Sequence, residues 1–186
     1  MADTSQPTVF DYASPTTWRI RFARIPKVEW FCTNVNLPGI TLGEAQYPTP
    51  MTDIGLTGDK LTFETLSITF LVDEELQNYR QLWDWMVGIG APKKHSQFSA
   101  ALTGGSNPTS QMPTADGTTP SESGLYDDAT LIVYNSKNIA KVNIQFKQIF
   151  PTSLSGLNYA QDATDVDYFR ADATFRFLYY EFETST

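Results

Sequence analysis

Between Asp167 and Tyr179 the chain alternates strictly, with Phe169, Ala171, Ala173, Phe175, Phe177 and Tyr179 on one side and Arg170, Asp172, Thr174 and Arg176 on the other. Successive side chains of a strand point to opposite faces, so this pattern suits an extended segment with one buried face and fits no helix. Lys141 to Gln148 repeats it, with Val142, Ile144 and Phe146 set against Lys141, Asn143, Gln145 and Lys147, and Leu66, Ile68, Phe70 and Val72 do the same against Ser67 and Thr69. Upstream, Leu61 and Phe63 fall out of phase with the last set, which calls for a bulge near Glu64-Thr65 if both groups are to lie inside. Trp18 to Phe22 and Thr130 to Tyr134 are shorter strands, and Asn135-Ser136-Lys137-Asn138 reads as the turn of a hairpin.

One segment departs from the β pattern. Leu76, Tyr79, Leu82, Trp83 and Met86 recur at helical spacing after Asp73, Glu74 and Glu75, which suit the positive end of a helix dipole. With Gly88 and Gly90 as the stop, this predicts a single helix over about 73–87 laid on the sheet, its aromatic stripe serving as core. A chain of 186 residues supports one domain over 1–186, and charged residues make up 18% while aromatic ones reach 13%, which favours strands and large contact surfaces.

Two stretches lie outside these elements. From Thr103 to Gly124, 16 of 22 residues are Gly, Pro, Ser or Thr, too few apolar groups to offset the entropy of ordering them, so 103–124 reads as a flexible insertion within the domain. Gly43 to Gly58 reads as an irregular loop, yet it holds Tyr47, Pro48, Pro50, Met51, Ile54 and Leu56 and is too apolar for idle solvent exposure.

The residues offer little chemistry. His95, the one histidine, stands in the polar run Pro92-Lys93-Lys94-His95-Ser96 without a nucleophile motif, and Gly104-Gly105 continues into Ser106-Asn107-Pro108 rather than a phosphate loop. The single cysteine, Cys32, cannot form an intrachain disulfide and reads as a small buried hydrophobe. Asp162, Asp165 and Asp167, and the pair Asp127-Asp128, read as solvated carboxylates that lack the spacing of a calcium loop. No catalytic, cofactor-binding or metal residue is assigned, and no cofactor is expected. A formal net charge of −8 repels phosphate polyanions and anionic lipid surfaces. The first residues, Met1 to Pro7, show neither a basic region nor an apolar one, and no run of 18 apolar residues occurs, so a cytoplasmic protein, or one released by lysis, is expected.

The order of several short motifs is more specific than any one of them. Leu37-Pro38-Gly39-Ile40-Thr41-Leu42-Gly43, the apolar loop, Thr57-Gly58-Asp59-Lys60-Leu61-Thr62-Phe63, Val72-Asp73-Glu74, Leu82-Trp83-Asp84-Trp85-Met86 and the turn Ile149-Phe150-Pro151-Thr152-Ser153-Leu154-Ser155 stand in an order that resembles the tail tube proteins of contractile-tailed phages of the T-even type. The likeness covers roughly Thr16 to Glu183, with the 103–124 insertion as the departure. It implies a β-sandwich or barrel-like subunit with one flanking helix, six copies to a ring, and rings stacked into a hollow tube. The partners it implies are further copies of the chain, a tail sheath, and baseplate and tail terminator proteins. DNA would pass through the lumen without specific binding, and no membrane is involved. The protein would be assembled in the host cytoplasm and reside in the virion tail. The apolar loop would carry the ring-to-ring contact through Tyr47, Pro48, Met51, Ile54 and Leu56. A baseplate tube-initiator of the same fold, the tube of type VI secretion, and a β-sandwich module binding carbohydrate or Ca²⁺ through exposed aromatics such as Trp83, Trp85, Tyr179 and Tyr180 are the alternatives, with an enzyme last.

Overall fold

The structure is a computed structural model that describes residues 12–90, 125–160 and 168–184. His95, the 103–124 insertion and the carboxylates of Asp162, Asp165 and Asp167 lie outside the described residues. In chain order the elements are β1 (Trp18–Phe22), α1 (Pro26–Phe31), β2 (Cys32–Val35), β3 (Ile40–Pro48), β4 (Asp53–Phe63), β5 (Leu66–Leu71), α2 (Gln77–Gly90), β6 (Asp127–Tyr134), β7 (Ala140–Leu154), β8 (Arg170–Arg176) and β9 (Tyr179–Thr184). The fold is mainly β and antiparallel, as the alternation requires. One sheet runs β1-β6-β7-β8-β5-β2 with β9 also on β7, and β3 and β4 form a sheet of their own.

The long strand β7 joins the two halves of the main sheet. Its first half pairs with β6 on one side and β9 on the other, and its second half pairs with β8. The change of partner occurs at Gln148, a non-glycine residue with φ of 54°. Asp128 holds that bend: its Oδ1 accepts the Gln148 N–H at 3.0 Å and its Oδ2 meets Lys147 Nζ at 2.9 Å. A left-handed residue in a strand shifts the alternation, so Ile144 and Phe146 are buried before the bend, and Ile149 after it. The segment 149–155, expected as a turn, is therefore mostly strand, running on to Leu154 because the bend is taken up one residue earlier.

The segment expected as a single strand over 167–179 divides for a related reason. Ala171, Ala173 and Phe175 are buried in β8, where they lie opposite Phe70, Ile68 and Leu66 of β5. At Phe177-Leu178 the chain leaves that half of the sheet, Leu178 N–H donating to Lys147 O at 3.0 Å, and β9 then runs along the first half of β7. Phe177 sits at this crossing among Phe146 (ring centroids 5.1 Å), Phe63 (5.7 Å) and Tyr180 (5.9 Å). The hairpin between β6 and β7 forms as read: Asn138 adopts φ of 59°, and Asn135 Oδ1 accepts the N–H groups of Lys137 (3.0 Å) and Ile139 (2.9 Å).

Two helices cover the core. The second, α2, starts at Gln77 rather than at 73. Leu76 N–H closes a turn onto Asp73 O at 2.8 Å and Leu76 itself lies at φ 54°, which no helical residue adopts, so Asp73 does not cap the helix. Asn78 secures this entry while fully buried, donating to Leu71 O at 2.7 Å and accepting the Asp73 N–H at 3.2 Å. Gly88 lies within the last turn and Gly90 is the last helical residue. The buried face is Asn78, Leu82 and Trp85, and Trp83, expected in the core, is 49% exposed. The delayed start does not by itself decide the face: Trp83 and Trp85 are about 200° apart on a helix, so only one of them can face the sheet. The first helix, α1, is additional to the single helix expected: it is formed by Pro26–Phe31 directly before Cys32, has proline in its first turn and buries Val28.

Candidate assembly interface

The apolar stretch expected as an irregular loop over 43–58 is a β-hairpin. β3 and β4 pair in register through Ile40↔Phe63, Leu42↔Leu61, Ala45↔Leu56, Tyr47↔Ile54 and Pro48↔Asp53. Cross-strand apolar pairs of this kind are the unit of sheet stability, but they become visible only once the register is known. Glycines and prolines spread along the stretch conceal the alternation. Pro48 stands at the end of β3 and Pro50 in the tip, where Thr52 N–H donates to Thr49 Oγ1 at 3.3 Å. The register slips between Leu42 and Glu44, and here Gly58 passes so close to β3 that a Cβ on it would lie 2.4 Å from Gly43 O.

Among the described residues the base of the hairpin is anchored and its tip is not. Glu64 N–H donates to Gly39 O at 3.0 Å, Asn36 Nδ2 to Thr65 O at 3.1 Å, and Tyr180 Oη to Pro38 O at 3.3 Å. Phe63 meets Phe177 and the edge of Tyr180, the latter at 5.5 Å between ring centroids. The expected bulge at Glu64-Thr65 is instead a break between two strands: Phe63 is half-buried in this aromatic cluster and Leu61 is exposed, so only the set beginning at Leu66 enters the core.

Beyond the base every residue of β3 is exposed, and so is nearly every residue of β4. Tyr47 is 60% exposed, Met51 95%, Ile54 48% and Leu56 51%, with Ile40, Leu42 and Leu61 similarly open. Tyr47, Pro48, Met51, Ile54 and Leu56 are thus brought together on one element, joined by Ile40 and Leu42, which were not among the expected contact residues, and by Leu61, which was expected inside. Among the described residues β3 and β4 pair only with each other, which leaves the outer edge of each strand without a partner. Isolated two-stranded hairpins are marginal in water, and unpaired apolar edges invite strand addition.

The other candidate groups have structural work. Asp127 lies within β6, where its Oδ2 accepts the Arg24 N–H at 2.8 Å, and burial pushes its carboxyl above the usual carboxylate range. Asp128 holds the β7 bend, and its hydrogen bond to Lys147 raises the ammonium's pKa. Cys32 is half-buried at the start of β2, and burial pushes its thiol up to about 12, which leaves it protonated and unreactive. No group of three or more His, Cys, Asp or Glu among the described residues could hold a metal ion. Trp85 is buried and Tyr180 half-buried in the aromatic cluster, so Trp83, Trp85, Tyr179 and Tyr180 do not make one exposed platform. No helix among the described residues is long and apolar enough to cross a membrane.

No family model matches the chain, and no curated protein does. Solved structures do. A chain of the anti-feeding prophage tube-terminating cap matches over 100% of both chains with a TM-score of 0.53 and 14% identity. A chain of the PVC sheath/tube terminator, from an extracellular contractile injection system in the extended state, matches over 94% of this chain and 99% of that one, with a TM-score of 0.53 and 15% identity. A chain of the sheath-tube complex of the same system matches over 100% of both, at 0.51 and 16%. The chain therefore shares its fold, across nearly its whole length, with chains of contractile injection assemblies.

Proposed function

We propose that the protein is a non-enzymatic structural subunit of a tail tube, in which copies close into rings and the rings stack into a hollow conduit. The observation that carries this reading is the β3–β4 hairpin: an anchored base, an exposed apolar tip, and two strand edges with no partner among the described residues. A second copy of the chain supplies what that element lacks. The shared fold with chains of sheath-tube and terminator structures supports the same reading. Following the T-even resemblance, the rings are hexameric, the tube belongs to a phage virion, a sheath and baseplate or terminator proteins adjoin it, and DNA passes through. A net charge of −8 suits a conduit that does not hold on to phosphate.

In this proposal the hairpin tip makes the ring-to-ring contact. Burying one apolar side chain stabilises by about 1.5 to 3 kcal/mol, and a ring repeats the contact in every subunit. Negative-stain microscopy and sedimentation of the purified protein should show rings or tubes, and the double variant Met51→Asp, Ile54→Asp should stay folded and fail to grow tubes. A strictly monomeric species at high concentration, or tubes of normal length from the double variant, would each count against the assignment. Two of the similar structures are a cap and a terminator, which favours one second reading, a subunit that ends a tube. Such a protein would form single rings that do not stack.

A further inference from the structure

The proposed stacking contact needs a receiving surface, and the main sheet provides one. Its order begins with β1 and ends with β2, and among the described residues each of these strands pairs on one side only, β1 with β6 and β2 with β5. The two ends face each other across an open cleft of about 680 Å³, lined by Trp18, Arg19 and Ile20 of β1, Trp30 of α1, and Cys32 and Thr33 of β2. An open sheet with two facing edges has room for added strand, and the added backbone would satisfy N–H and C=O groups on both sides.

The charges match as well. Arg19 and Arg21 share a single carboxylate, Glu29, at 2.7 Å and 3.9 Å, which leaves one positive charge beside the cleft on a chain whose net charge is −8. The hairpin over 40–63 carries Glu44, Asp53 and Asp59 against Lys60 alone. Two like-charged copies approach most easily where their local charges are opposite. Trp30, 75% exposed with the Arg19 guanidinium 4.8 Å from its ring centroid, forms an apolar wall at the mouth of the cleft.

We propose that the β1–β2 cleft of one copy receives the β3–β4 hairpin of a second copy, so that the unpaired edges of both are satisfied in the same contact. The inference rests on the tube-subunit reading and names the receiving surface for it.

Thr33, exposed on β2 and lining the cleft, provides the test once the single cysteine, Cys32, is replaced. Protein carrying Cys32→Ser with Tyr47→Cys is mixed under assembling conditions with protein carrying Cys32→Ser with Thr33→Cys, and the mixture is oxidised with a copper catalyst. Ile54→Cys and Leu56→Cys are run in parallel in the same background. The expected result is a disulfide-linked dimer holding one chain of each kind. It should be absent when Trp83→Cys, on α2, replaces the hairpin cysteine. A variant that leaves the hairpin untouched, Trp30→Glu, sets a carboxylate at the cleft mouth; it should lower the yield of tubes by about tenfold while keeping the urea midpoint of the subunit. Tubes that form without a mixed dimer from any hairpin position, or tubes undiminished by Trp30→Glu, would each overturn the docking and leave the tube reading standing. If the unaltered protein forms no ring or tube, both fall.

Discussion

The body, made of the main sheet and its two helices, and the β3–β4 hairpin are built from the same residue types and reach opposite outcomes. In the body, Ile20, Leu66, Ile68, Phe70, Phe146 and Phe175 are at most 1% exposed and belong to one hydrophobic core. On the hairpin, residues of the same kind are about half exposed or more. Neither composition nor alternation separates the two. What separates them is whether the chain supplies a covering layer, and for the hairpin none of the described residues does. The body is thus organised for stability of the single subunit, and the hairpin, on the proposed reading, for contact with another copy.

The largest effect that tests this contrast is expected at Phe175, which stacks on Phe22 at 5.4 Å and tilts against Trp85 at 6.3 Å between ring centroids. Phe175→Ala should cost about 3 to 5 kcal/mol in urea unfolding, as truncations of buried aromatics do. A loss under about 1 kcal/mol would mean that the body is not the packed half of the molecule. A smaller and more local effect is expected at Gly58. A methyl group there would meet Gly43 O, so Gly58→Ala should open the hairpin, seen as faster hydrogen exchange at β3 and β4 amides and poorer assembly. The urea midpoint should hardly move; if it fell as far as for Phe175→Ala, hairpin and body would be one cooperative unit.

The smallest effect concerns pH. Burial raises the Asp127 carboxyl above 3.8 in the folded chain, so between 3.8 and the folded value the native state binds more protons than the unfolded state. Unfolding free energy contributed by this group therefore falls as pH rises through that window and is regained on acidification. Asp127→Asn keeps an acceptor for the Arg24 N–H and removes the charge. Compared with the unaltered protein, the variant should lack this part of the pH profile and be at least as stable at neutral pH, measured by urea titration at a series of pH values. A variant markedly less stable at neutral pH would show that the carboxylate charge, through Arg24, outweighs its burial.

Where short-range pattern decides structure, the sequence was legible. The buried faces of Ala171, Ala173 and Phe175, of Ile144 and Phe146, and of Leu66, Ile68 and Phe70 follow from alternation alone, because neighbouring side chains of a strand must diverge. The Asn135 turn follows from side-chain hydrogen bonds that span only a few residues. The helix was legible in kind, with its start and its buried face displaced. The apolar side chains of the candidate interface could be named, Tyr47, Pro48, Met51, Ile54 and Leu56, because an apolar stretch outside the strand pattern stands out in any sequence.

Tertiary structure decided the rest, since the remaining choices depend on partners far along the chain. The division of 167–179 into β8 and β9 depends on which half of β7 each one meets, and the bend at Gln148 depends on a carboxylate twenty residues away. Trp85 rather than Trp83 faces the core because the sheet lies on that side of α2, where the Trp85 ring meets Phe175. That the stretch around Met51 is a hairpin, exposed and unpaired at both edges, rests on a register between β3 and β4 and on the absence of a third strand beside them among the described residues. Local sequence sets which way a side chain points. Which surface it meets is a property of the whole fold, and for the hairpin, on the reading proposed here, of the assembly.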